Sequence, residues 1–164
     1  MDLIAKGRVI RLTAAEMMLA RFLARRRHQM ARAAGRPNLK VGNQADSLTD
    51  LEGIGAEIAF AKLTNTYPDL DLGHTPVADT YLPDGRTVDV KTTKYPTGRL
   101  LAVKWKTTKV DLFALMIGPF PEYRFAGAMN SHDLLRPERI TNLGHGDGFA
   151  ATQDQLEHLV LNPS

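Results

Sequence analysis

Asp79, the turn Pro83-Asp84-Gly85 and the tripeptide Asp89-Val90-Lys91 hold the residue types and spacing in this chain that could do chemistry. Proline suits the first position of a type I turn, aspartate tolerates the second, and glycine can take the left-handed third. A three-residue hairpin loop of this kind pairs Leu82 with Arg86, Tyr81 with Thr87, Thr80 with Val88 and Asp79 with Asp89. Two carboxylates then face each other with Cβ atoms roughly 5 Å apart. Lys91 shares their face because strand side chains alternate. Ala78, Thr80, Leu82, Val88 and Val90 fall on the other face and read as core. Facing acids repel unless a cation sits between them, and a divalent metal with a nearby lysine meets that need. The turn type carries the reading, since a two-residue Asp84-Gly85 turn would set Asp79 facing away from Asp89. An exposed hairpin with an ordinary surface charge pair is the plainer alternative.

Helices must position this hairpin. Thr13-Ala14-Ala15-Glu16 has the form of a capping box, and the helix it opens should run to about Ala34, before Gly35 and Pro37. Arg21, Arg25, His28 and Arg32 recur on it at helical spacing as a cationic stripe, while Met18, Leu19, Phe22 and Leu23 supply an apolar side. The stripe is either a solvated face or a contact for phosphate backbones. Residues 35–48 read as a loop. A second helix should run from Thr49-Asp50 to about Asn65, burying Leu51, Ile54, Ile58 and Ala61. Glu57 lies at the edge of that stripe and points partly inward. Taken alone, an inward glutamate reads as a satisfied structural acid. Gly53 and Gly55 would permit close packing of the helix start.

Strands should follow. Residues 99–106 alternate, with Val103 and Trp105 on one side and Lys104 and Lys106 on the other. Asp111–Gly118 is a continuous apolar run suited to a central strand buried on both faces. Residues 122–128 read as a further strand, residues 131–148 as mostly irregular, and Thr152–Leu161 as a last helix. The order describes an α/β or α+β fold, a mixed sheet of about four to five strands flanked by helices.

The 164 residues fit a single domain, with a basic helical arm over about 1–48 and a core over about 49–130. Residues 1–50 hold ten Lys or Arg against four Asp or Glu, and residues 51–164 hold eleven against fourteen. A basic arm on an acidic-centred body suits a polyanion met by the arm and a cation held in the body. The absence of cysteine excludes disulfides, zinc-thiolate sites and thiol catalysis. Without a membrane-spanning apolar run or a secretory leader, the expected location is the cytoplasm. His132, His145 and His158 lack metal spacing with acids, Gly144–Gly148 reads as a flexible loop, and His74 as structural. Lys94, Lys104, Lys106 and Lys109 could line a substrate groove or simply be solvated strand ends.

The residues resemble the PD-(D/E)xK nuclease superfamily, in which an acidic helix precedes a hairpin carrying Asp and then Asp/Glu-x-Lys. The match is Glu57 in Gly53-Ile-Gly-Ala-Glu-Ile-Ala-Phe-Ala-Lys62, then Asp79, then Asp89-Val90-Lys91. The run Ala78–Gly85 is similar to the corresponding hairpin of phage junction-resolving endonucleases, which would put the protein in a host cytoplasm. The resemblance covers about residues 49–118. Ala78 stands where the family has proline. Pro83-Asp84 fits the letters better but sits in the turn, so Asp84 should point to solvent. Asp69 and Asp71 stand too far from the hairpin for local geometry to pair them.

What the resemblance implies is a restriction-endonuclease-like fold and metal-dependent hydrolysis of DNA. Asp79, Asp89 and the Val90 carbonyl would hold Mg²⁺, with Mn²⁺ as a substitute, and Glu57 would complete the shell. Lys91 would position or activate the nucleophile and offset negative charge. Arg21, Arg25, His28, Arg32, Lys94, Lys104 and Lys106 would contact DNA, and a structure-selective enzyme would pair two sites as a homodimer. The competing expectation is a non-catalytic nucleic-acid-binding module on a nuclease-like scaffold.

Overall fold

A computed structural model describes residues 2–33, 46–71, 78–104 and 109–163. The 35–48 loop up to residue 45, with Gly35 and Pro37, lies outside the described residues, as do His74, Trp105 and Lys106.

The N-terminal segment forms two short strands, β1 (Asp2–Ile4) and β2 (Val9–Arg11), before helix α1 (Ala14–Ala33). The capping box is closed as its sequence predicts. Glu16 N–H donates to Thr13 Oγ1 at 3.2 Å, and Thr13 N–H donates to Glu16 Oε1 at 2.7 Å. Helix α2 (Asp46–Thr64) follows, starting a few residues earlier than expected. Then come β3 (Thr80–Tyr81), β4 (Thr87–Thr93), β5 (Leu100–Val103), β6 (Leu112–Ile117) and β7 (Glu122–Asn130). A one-turn helix α3 (Ser131–Leu134) leads to β8 (Ile140–Asn142), β9 (Asp147–Ala151) and β10 (Leu159–Leu161).

The fold is mixed α+β. Its central sheet has five strands in the order β2-β7-β6-β4-β3, with β4 and β6 parallel and the other neighbours antiparallel. Every residue of β6 is buried, as a central strand covered on both faces requires. One face packs on the helices through Val88, Val90, Ala114 and Met116 against Ala20, Leu23, Ile54 and Ile58. The other face packs Phe113, Leu115 and Ile117 against Leu100, Ala102 and Phe149 of a three-stranded sheet, β5-β9-β8. Helix α1 therefore shares a core with α2 and the sheet. Helix α2 is buried beyond the expected stripe, since Ala56, Ala59 and Phe60 are fully covered as well.

Several expectations are corrected. Met18 and Phe22 do not pack inward, standing 72% and 53% exposed, and the inner stripe of α1 is Ala20, Leu23 and Ala24. Leu100 and Ala102 supply the buried face of β5, and Lys104 lies just beyond its end. Ala78 packs with Phe113 and Leu115, across the sheet from Leu82, Val88 and Val90. Residues 131–148 are largely ordered, with Gly144–Gly146 in the β8–β9 hairpin turn, where Leu143 N–H donates to the Gly146 carbonyl at 2.9 Å. The last helix is absent. A single 3-10 turn (Gln153–Gln155) precedes β10, which pairs antiparallel with β1. No helix among the described residues is long and apolar enough to cross a membrane.

Candidate active site

The hairpin forms in the predicted register. Thr80 pairs with Val88 and Tyr81 with Thr87, while Leu82 N–H donates to the Arg86 carbonyl at 2.9 Å. Gly85 takes φ +89°, the left-handed geometry that closes a three-residue loop. Above Thr80 the ladder departs from expectation. Asp79 N–H donates to the Val88 carbonyl at 2.9 Å, so Asp79 bends away and does not face Asp89 as a ladder partner. Its carboxylate takes over the vacated role, with Oδ2 accepting from Val90 N–H at 2.7 Å. In a strand the N–H and C=O of one residue lie on the same side. The Val90 carbonyl therefore lies at the same edge of β4 as Asp79.

Helix α2 brings Glu57 to this edge. Burial pushes the Glu57 carboxyl above its ordinary value, and Asp89 pushes the same way while Arg27 opposes. Burial, then Glu57 and Asp89, push Asp79 up to about 8. Glu57, Asp79 and Asp89, drawn from three segments, thus lie within electrostatic reach of one another. Lys91 Nζ sits 2.9 Å from Asp89 Oδ1.

A residue that sequence reasoning missed completes the group. Arg27 donates from Nη1 to Glu57 Oε2 at 3.1 Å and from Nη2 to the Asp69 carbonyl at 3.0 Å. The available signal was its register: Arg27 follows Ala20, Leu23 and Ala24 at helical spacing and lies on the inner face of α1. Asp69, discounted for its distance from the hairpin, is brought beside it and lines a cavity with Asp79. Asp69 Oδ2 is buried and has no hydrogen-bond partner among the described residues.

Other expected contacts scatter. Arg21, Arg25 and Arg32 are exposed on α1, and the Arg21 guanidinium lies 5.2 Å from the Phe120 ring centroid. His28 leaves the stripe and meets Asp50 at 3.0 Å, joining α1 to α2. Lys94 and Lys104 are exposed. Asp84 does not point freely to solvent. Its Oδ2 accepts from Arg86 Nε at 2.8 Å and from Asn162 Nδ2 at 3.2 Å. His158 Nδ1 accepts from Lys6 N–H at 2.9 Å, a structural contact.

Among the described residues no group of three or more His, Cys, Asp or Glu side chains forms a ready metal site. The three carboxylates lean instead on Arg27, Lys91 and the Val90 N–H. In kind, the donors fit a hard divalent cation: all are carboxylate or carbonyl oxygens, and their mutual repulsion is what a cation relieves. No family model matches the chain, and no curated protein matches it.

Proposed function

We propose that the chain is a metal-dependent DNA endonuclease that hydrolyses phosphodiester bonds at Glu57, Asp79, Asp89 and Lys91. What supports this reading is the gathering of three acidic groups from separate segments, with Lys91 2.9 Å from Asp89 and Asp79 raised by burial and then by Glu57 and Asp89. Burying acidic groups together costs stability, and displaced carboxyls gathered at a cavity are the arrangement that active sites use. Mg²⁺ or Mn²⁺ held by Asp79, Asp89, the Val90 carbonyl and Glu57 would polarise the phosphate and lower the pKa of a bound water.

The chain's own groups supply the rest. Hydrolysis adds water to phosphorus and releases the ester oxygen, and negative charge builds on the phosphoryl oxygens as it proceeds. Lys91 Nζ, anchored at 2.9 Å by Asp89, offsets that charge and orients the nucleophile. Arg27 holds Glu57 beside the cluster. Exposed Arg21, Arg25 and Arg32 on α1, with Lys94 and Lys104, meet phosphates without reading sequence.

One observation favours a second reading, a non-catalytic nucleic-acid-binding module: the acids rest on protein cations with no ready metal site among the described residues. Incubation with supercoiled, linear, single-stranded and branched DNA in Mg²⁺, Mn²⁺ or EDTA separates the two. Metal-dependent cleavage of any of them supports the enzyme. Salt-sensitive binding with no cleavage in either metal supports the module.

A further inference from the structure

We propose that Tyr67 and Tyr81 form a stacking platform for an unpaired nucleobase beside Asp79, which makes the preferred substrate single-stranded or locally unpaired nucleic acid. The inference deepens the reading above and rests on its nucleic-acid partner.

Tyr67 is 78% exposed and Tyr81 58% exposed, and both line one cavity of about 420 Å³ that Asp79 also lines. Exposed aromatics scattered singly over a surface are ordinary. Two that line one cavity together with Asp79 are not scattered.

Their bases are fixed. Thr66 N–H donates to the Ala61 carbonyl at 2.8 Å, and Thr66 Oγ1 lies 2.8 Å from Thr64 Oγ1 and 3.1 Å from Thr80 Oγ1. Thr64 and Thr80 are buried. Each tyrosine directly follows a threonine of this chain, so the segment leaving α2 and the strand β3 are clamped together where the rings emerge. Tyrosine on such a base offers a large contact face with only two side-chain torsions to order.

The rest of the lining decides which part of a nucleotide enters. Asp69 and Asp71 line the same cavity and repel phosphate, while Pro68, Leu70 and Ala78 give it apolar walls. A neutral, flat base fits those walls better than a phosphate does. Bases within a duplex are stacked and paired, so only a single strand, a frayed end or a branch offers one without unstacking.

The test is fluorescence anisotropy in EDTA with a labelled single-stranded oligonucleotide and the duplex of the same sequence. The unaltered protein should bind the single strand more tightly. Tyr67→Ala and Tyr81→Ala should each weaken single-strand binding by about tenfold, with duplex binding within about twofold, since one stacked base is worth on the order of 5- to 150-fold. Tyr67→Phe and Tyr81→Phe should keep the preference, and Tyr81→Leu, which keeps apolar bulk without the π-face, should lose it. Leu3→Ala, which removes another exposed apolar side chain outside this cavity, should change nothing. Equal losses on both DNAs, no loss in the alanine variants, or no binding of either DNA would overturn the platform. Because EDTA removes cleavage from the measurement, a protein that shows the preference yet cleaves in neither Mg²⁺ nor Mn²⁺ refutes hydrolysis while upholding the platform.

Discussion

Arg27 on α1 and Glu57 on α2 are joined at 3.1 Å, and through this contact the basic helix reaches the acid cluster. The pair is largely covered, with side chains 28% and 17% exposed, and the same guanidinium holds the Asp69 carbonyl. Arg27→Ala leaves a covered carboxylate without its cation and should cost roughly 1–3 kcal/mol in urea unfolding at neutral pH. Arg25→Ala, on the exposed face of the same helix, should change stability by less than about 0.5 kcal/mol. Equal effects would mean the Arg27 contact does not hold in solution.

Asp79 predicts a pH dependence of definite sign. Its ordinary value is 3.8 and the folded value is about 8, so between the two the native state keeps a proton that the unfolded chain has released. Stability without metal must therefore fall as pH rises through this window. The displaced Glu57 acts in the same direction. Urea midpoints in EDTA at about pH 5.5 and about pH 8.5 should be lower at the alkaline end, and Asp79→Asn should flatten the slope. A midpoint that rises with pH and is untouched by Asp79→Asn would contradict the clustering of acids.

Asp84 should behave in the opposite way. Hydrogen bonding to Arg86 holds its carboxyl down to about 2, below the ordinary 3.8. Its contribution is present above the ordinary value and lost as pH falls through about 2. Asp84→Ala should cost about 1 kcal/mol at neutral pH and leave any cleavage rate within about twofold. A large loss of cleavage would move the catalytic aspartate into the turn.

Two glycines of α2 should respond in opposite directions. A Cβ on Gly55 would meet Tyr123 Oη at 2.2 Å and Phe120 Cδ2 at 2.7 Å, whereas one on Gly53 meets nothing within 4 Å. Gly55→Ala should destabilise by roughly 1–3 kcal/mol through overpacking. Gly53→Ala should stabilise by roughly 0.5–1 kcal/mol through helix propensity. Thermal melts of the two variants check both signs.

The contrast between Gly53 and Gly55 shows where the sequence was legible. Local chemistry was readable: Thr13 and Glu16 closed their box, and Pro83-Asp84-Gly85 set the hairpin register. Glu57, at the edge of the α2 stripe, is 17% exposed and lies within electrostatic reach of Asp79 and Asp89. Features set by distant partners were not readable. Thr152 and Gln155 begin a helix-like turn, with Thr152 N–H donating to Gln155 Oε1 at 3.1 Å, and Leu156 and Leu159 keep helical spacing. Pairing of Leu159–Leu161 with Asp2–Ile4 at the other end of the chain nevertheless makes the segment a strand. Arg27 was missed for a related reason, since its meaning comes from Glu57 and Asp69, on segments that follow the helix.

The most direct test of the central claim is nicking of supercoiled plasmid DNA by the unaltered protein, Asp79→Ala and Lys91→Ala, in Mg²⁺ and in EDTA. The unaltered protein should nick only with the metal present, and each substitution should slow nicking by about 100-fold or more while the thermal melt stays cooperative. Nicking at the unaltered rate by either variant, or nicking that EDTA leaves undiminished, would contradict it.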